Sequence, residues 1–176
     1  LHPVAHSFPT RRSSDLLVIG IFLTAMGLGS FLTKFVERDL IARFIQIEIA
    51  IGLLGGASAL ILFAAFSYTD VYTTAMITVS GGIGTLIGME IPLIIRILRA
   101  RQDSLRLTVA NVMTVDYVGA LVAALAFPFL LVPHLGLMRA AFVTGLLNLG
   151  VAWVGLRVFK DEVAHGPRLR DAVQFA

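Results

Sequence analysis

Long apolar runs alternate with short polar links along this chain, and the alternation predicts its elements. Five runs stand out, over residues 17–35, 40–66, 75–95, 107–131 and 138–159. A helix that crosses the hydrocarbon core of a bilayer needs roughly 20 apolar residues, and each run meets or approaches that length. The pattern therefore predicts an all-α, polytopic membrane protein of about five transmembrane helices, part of a larger helical bundle. Small residues recur at helical spacing within the runs, which predicts faces where another helix approaches closely. They are Gly20, Ala25, Gly27, Gly29 and Ser30 in the first run, and Gly52, Gly55 and Ala59 in the second. Ser80, Gly84 and Gly88 follow in the third, Gly119, Ala120 and Ala123 in the fourth, and Ala141, Gly145, Asn148, Ala152 and Gly155 in the fifth. Pro92 lies near the end of the third run, Pro128 predicts a kink in the fourth, and Pro133 with Gly136 predicts the turn between the last two.

Three acids interrupt this pattern. Glu48, Glu90 and Asp116 each sit inside an apolar run, where a carboxylate costs roughly 2.5 to 3.5 kcal/mol on insertion scales. Glu48 shares a face with Gly52, Gly55 and Ala59, so it is expected to point into the bundle. All three acids fall roughly 8 to 15 Å from the same helix ends at 1.5 Å per residue, which predicts one polar layer. Lys34, Arg43 and Arg96 lie near its edge, close enough in depth to snorkel toward it. Two readings follow. The acids form a cation or proton site facing a cavity, or they pair with Lys34, Arg43 or Arg96 and fix helix packing. Asn111 and Asn148 fit hydrogen bonds between helices better than substrate contacts.

The charge of the links changes the picture by giving it a direction. Counted with the adjoining run ends, Lys and Arg number three at the first link (Lys34, Arg38, Arg43), none at the second, four at the third and one at the fourth (Arg139), and the tail with Arg157 adds four. Positive charge favours the cytoplasmic side. The first link, the arginine-rich hinge around Arg96, Arg99, Arg101 and Arg106, and the C-terminal tail (160–176) are thus expected in the cytoplasm. Residue 17 then lies outside, where Arg11 and Arg12 break the rule. Residues 6–16, HSFPTRRSSDL, closely resemble the in-frame translation of a common sequencing-library adapter. Residues 1–16 are accordingly read as a non-native leader, with a preceding helix expected in the native protein.

Composition agrees with the pattern and removes several chemistries. Of the 176 residues 57% are hydrophobic and 14% charged, with a mean hydropathy of +0.89, outside the balance of ordinary soluble domains. The net charge of +3 sits in clusters between apolar runs, so it reads as topology and excludes nucleic acid as a partner. No cysteine is present, and His2, His6, His134 and His165 lack metal-ligand spacing. GGIGTLIG in the third run lacks the strand and helix that a nucleotide-binding glycine loop requires. No catalytic residue, metal ligand or cofactor site is predicted in this chain.

Several strings together resemble a known family. AMGLGSFLTKF, RFIQIEIAIGLLGG, IGMEIPLIIRIL and VDYVGALVAALAFPFLLVPHLGLMRAAFVTGLLN occur in the order and spacing of the membrane domain of bacterial membrane-embedded spermidine synthase homologues, the polyamine aminopropyltransferases. The resemblance covers residues 17–159. It implies a helical membrane domain in the bacterial inner membrane, fused to a cytoplasmic Rossmann-like domain that moves an aminopropyl group from decarboxylated S-adenosylmethionine to putrescine. The family's catalytic Asp residues and glycine-rich loop have no counterpart here. The implied partners are the lipid bilayer, flanking helices and a C-terminal catalytic domain of the same polypeptide, and a polyamine. The alternative is a fragment of a small-cation or polyamine transporter that uses the buried acids.

Overall fold

The computed structural model describes residues 9–99 and 104–160. The start of the leader, Arg101 and Asp103 of the hinge, and nearly all of the basic tail lie outside the described residues. What is described is helical, without a β-strand among the described residues. The order is α1 (Pro9–Leu32), a 3₁₀ turn (Thr33–Phe35), α2 (Leu40–Ala65), α3 (Thr69–Arg99), α4 (Leu105–Ala126), a π-helical turn (Phe127–Leu131) and α5 (Val132–Val158).

The breaks between helices have local causes. Asp39 precedes α2 with φ 55 and ψ 45, a left-handed conformation that Asp tolerates better than most residues. Before α4, Ser104 is extended and its side chain accepts a hydrogen bond from the Leu107 amide at 3.5 Å, as an N-cap does. Two boundaries move relative to the sequence reading. Helix α1 begins at Pro9, inside the stretch set apart as leader. Helix α3 begins at Thr69, because the expected link folds into a tight turn followed by helix, with the Tyr72 amide donating to the Tyr68 carbonyl at 2.8 Å.

The last two runs follow one another in a helical stretch, Leu105–Val158, that is broken at Gly136, inside the turn the sequence predicts between them. Four stretches among the described residues are long and apolar enough to cross a membrane: Leu16–Phe35, Leu40–Ala65, Val71–Arg99 and this 54-residue one. Neither proline ends it. Pro128 falls in the wide π-helical turn, and Pro133 follows just after it, before the break at Gly136. Only Gly136 leaves the helical conformation, with φ 77 and ψ 163, a region that a residue with a Cβ avoids.

Packing is organised by close backbone approach. Helices α1 and α3 run parallel: Gly84 faces Phe22 and Ala25, and Gly88 faces Met26 further along. A methyl group on Gly29 would overlap the Thr85 backbone, and one on Gly88 would overlap the Met26 backbone. Helices α2 and α5 run antiparallel, with Gly155 beside Ile45 at one end and Gly56 near Ala141 at the other. A Cβ on Gly52 would lie 2.9 Å from the Gly145 carbonyl oxygen. Only some of the expected small residues serve this purpose. Gly20, Gly27, Gly55 and Gly119 have no atom within 4 Å of where a Cβ would stand.

Ile47, Ile51 and Leu93 form a core cluster where α2 meets α3. Helix α4 packs against α3 and the adjoining π turn, not against α5, and its surface beyond Thr108 is largely exposed and apolar. Hydroxyls within the apolar stretches are satisfied inside their own helices. Thr85 donates to Gly81, Thr114 to Ala110 and Thr144 to Ala141, at 2.8 to 2.9 Å, so they are not free donors for a ligand.

Candidate functional site

The polar residues singled out by sequence separate into two groups in space. The first is acidic. Glu48 on α2 is buried, with 4% of its surface exposed, next to Ile47, and Glu90 on α3 is half-buried. The two carboxyls lie close enough to influence each other. Asp116 lies within electrostatic reach of Glu90, exposed on the side of α4. The structure thus sets Glu48 and Glu90 near each other and Asp116 beyond Glu90, on the third helix of a row.

The second group is basic and does not meet the first. Arg96 Nη1 donates to the carbonyl oxygens of Thr33 at 2.9 Å and Val36 at 2.6 Å. These carbonyls belong to the turn that closes the end of α1, and the Thr33 oxygen also accepts from the Val36 amide at 3.0 Å. Lys34 places its ammonium 3.4 Å from the Phe31 ring centroid and 5.0 Å from that of Phe35, within cation–π range. Arg43 bonds Gln46 Oε1 at 3.0 Å on the exposed side of α2. No ion pair joins Lys34, Arg43 or Arg96 to the three acids among the described residues, so the ion-pair reading finds no counterpart here. Lys34 and Arg43 find partners close by in sequence, and Arg96 finds its own across the bundle, at the end of α1.

Asn111 is exposed on α4 and Asn148 is half-buried on α5. His134 Nδ1 lies 2.8 Å from the Leu130 carbonyl oxygen, an acceptor only, so Nδ1 carries the hydrogen of this bond. No group of His, Cys, Asp and Glu suited to a metal occurs among the described residues. The acceptors of Arg96 were not foreseen from sequence. They are backbone carbonyls, which every residue has, and no side-chain pattern marks them.

Known proteins place the chain. No protein-family model matches it, and no solved structure does. It is 45% identical over 139 residues to a polyamine aminopropyltransferase of Leptospira interrogans, an alignment that covers 79% of this chain and 28% of that protein. Polyamine aminopropyltransferase 2 of Ralstonia nicotianae is 43% identical over 161 residues, covering 89% of this chain and 31% of the relative. The polyamine aminopropyltransferase of Mycobacterium tuberculosis is 39% identical over 169 residues, covering 92% and 32%. The chain spans about 30% of the length of the curated relatives it matches. Over that shared region, it belongs to the polyamine aminopropyltransferase family.

Proposed function

We propose that this chain is the membrane domain of a spermidine-synthase-like polyamine aminopropyltransferase. In this reading it holds the catalytic part of its polypeptide at the cytoplasmic face of the bacterial inner membrane. The carrying observation is the surface of the last two helices. Val115, Leu121 and Phe129 are 73%, 62% and 74% exposed, and large apolar side chains continue around α4 and along α5. Water-soluble monomers rarely expose apolar patches beyond a few hundred Å², whereas lipid is a fitting neighbour for such a surface.

The same reading divides the 54-residue stretch into two crossings. Straight, it would measure about 81 Å at 1.5 Å per residue, more than twice the roughly 30 Å hydrocarbon core. Gly136 is the point at which the chain turns back, giving five crossings with the tail in the cytoplasm. The reaction of the whole protein would be aminopropyl transfer to putrescine, with no cofactor held by these residues. Glu48, Glu90 and Asp116 would offer charge complementary to a polyamine arriving at the membrane.

The test uses the cysteine-free sequence. Single cysteines at Tyr68 and His134 are expected to react with a membrane-impermeant maleimide in intact cells, and one at Arg38 only after permeabilisation. Deleting the whole membrane domain, residues 17–159 together with the helices that flank them, from the full-length protein is expected to release its activity into the soluble fraction. Activity that stays with the membrane after the deletion would sink the tethering role.

A second reading, cation or proton movement across the membrane, draws support from the Glu48–Glu90 contact with Asp116 in reach. Uptake of a cation by the full-length protein in vesicles, abolished by Asp116→Asn, would favour it. Absence of uptake under any gradient would remove it.

A further inference from the structure

A groove opens where the C-terminal end of α2 meets the break at Gly136. It has a volume of about 660 Å³ and is walled by apolar side chains, among them Phe63, Phe66, Leu135 and Met138. That volume falls within the roughly 300–1,000 Å³ of small-molecule sites. Tyr72 and Arg139 complete the lining. Tyr72 is held by an edge-to-face contact with Phe66, with ring centroids 5.9 Å apart. Arg139 is exposed and has no hydrogen-bond or ion-pair partner among the described residues. Its position is unusual in the sequence as well: no Lys or Arg lies between Arg43 and Arg96, and Arg139 alone lies between Arg106 and Arg157.

Resting on the membrane reading above, we propose that this groove holds an anionic phospholipid, with its phosphate on Arg139 and an acyl chain along Phe63 and Phe66. The chemistry of the lining selects this occupant. An apolar trough that ends in a guanidinium and a phenol matches a molecule with a hydrocarbon body and a phosphodiester head. A guanidinium binds phosphate oxygens through paired N–H donors, and a Tyr at the rim can place its hydroxyl in the headgroup layer. Gly136 shapes the mouth of the groove: its backbone departs from the helix beside Arg139.

The test takes the full chain, purified in a mild detergent and offered phosphatidylglycerol and phosphatidylcholine in equal amounts. Retained lipid is then counted by native mass spectrometry. Phosphatidylglycerol is expected to be retained in preference, by about fivefold for one cation at an anionic headgroup. Arg139→Gln should bring the two lipids level, and Arg139→Lys should keep part of the preference. Phe63→Ala should lower the retention of both lipids. An unchanged preference in Arg139→Gln would overturn the proposal. So would displacement of the lipid by equimolar inorganic phosphate, which would mark a phosphate site without an acyl chain. A chain that stays in solution without detergent would instead overturn the membrane reading, so the two failures are distinguishable.

Discussion

Arg96, near the end of α3, donates from Nη1 to the carbonyl oxygen of Val36, 60 residues earlier in the chain, at 2.6 Å. The same nitrogen reaches Thr33 O. A side chain of one helix thereby terminates another, and the parallel pair α1 and α3 is fastened at the end opposite its glycine contacts with Ile21 and Phe22. The Thr33 side chain closes the same turn by donating to the Ser30 carbonyl at 2.6 Å.

Removing this fastening is expected to cost more than an ordinary surface change. Arg96→Met leaves two carbonyls without their charged donor, and hydrogen bonds to charged groups contribute about 1.5 to 3 kcal/mol. Thermal unfolding in detergent should show a clear loss for Arg96→Met and a smaller one for Arg96→Lys, which keeps a cationic donor without the guanidinium geometry. Equal melting of Arg96→Met and the parent chain would show that the contact does not hold α1 to α3.

The glycines divide into those that touch and those that do not, and substitution should separate them. Gly88→Ala places a methyl against the Met26 backbone and must push α1 from α3. Overpacking of this kind costs about 1 to 3 kcal/mol. Gly27→Ala meets nothing within 4 Å and gains helix propensity, up to about 1 kcal/mol. Opposite shifts in unfolding temperature are the expected result. Similar behaviour of the two variants would contradict the α1–α3 packing described here.

Gly136 should not accept a side chain although space is open around it. Nothing lies within 4 Å of a Cβ there, yet φ 77 with ψ 163 is costly for alanine, by about 1 to 3 kcal/mol. Gly136→Ala is expected to lower stability, whereas Gly119→Ala, equally open and helical, is not. Comparing the two by chemical denaturation isolates backbone conformation from packing.

The Glu48–Glu90 contact predicts a pattern across three variants. Glu48→Gln keeps a polar side chain of the same size beside Glu90, so folded yield should stay near that of the parent. Glu48→Leu leaves Glu90 without its partner in an apolar site and should lower the yield. Glu48→Leu combined with Glu90→Leu removes both polar groups and should recover part of the loss, since an unpartnered buried group costs more than none. A double-mutant cycle gives the coupling. Additive losses would mean that the two carboxyls act independently.

Much of this architecture was legible in the order of residues. Apolar runs of helical length, separated by links too polar to bury, left a helical protein as the consistent outcome, because each helix satisfies its own backbone hydrogen bonds. The strings carrying the family resemblance were likewise local. The acids could be singled out because three carboxylates in apolar runs are expensive wherever those runs pack.

What the one-dimensional pattern could not decide was which face meets which. Helical spacing groups Gly20, Gly27 and Gly29 together, but only a partner helix determines that Gly29 is in contact and the other two are not. The same limit applies to charge. Depth along a helix places Arg96 and Glu90 in neighbouring layers, yet Arg96 turns to the carbonyls of the turn that follows α1, whose positions depend on α1 and α3 lying parallel. Pro128 and Pro133 looked like helix ends by residue type. The backbone keeps helical dihedrals at both and breaks at Gly136, three residues after Pro133, where the absence of a Cβ allows φ 77. Local chemistry therefore determined the elements and their polarity. The three-dimensional packing decided the contacts, since a contact depends on two surfaces and the sequence pattern describes one at a time.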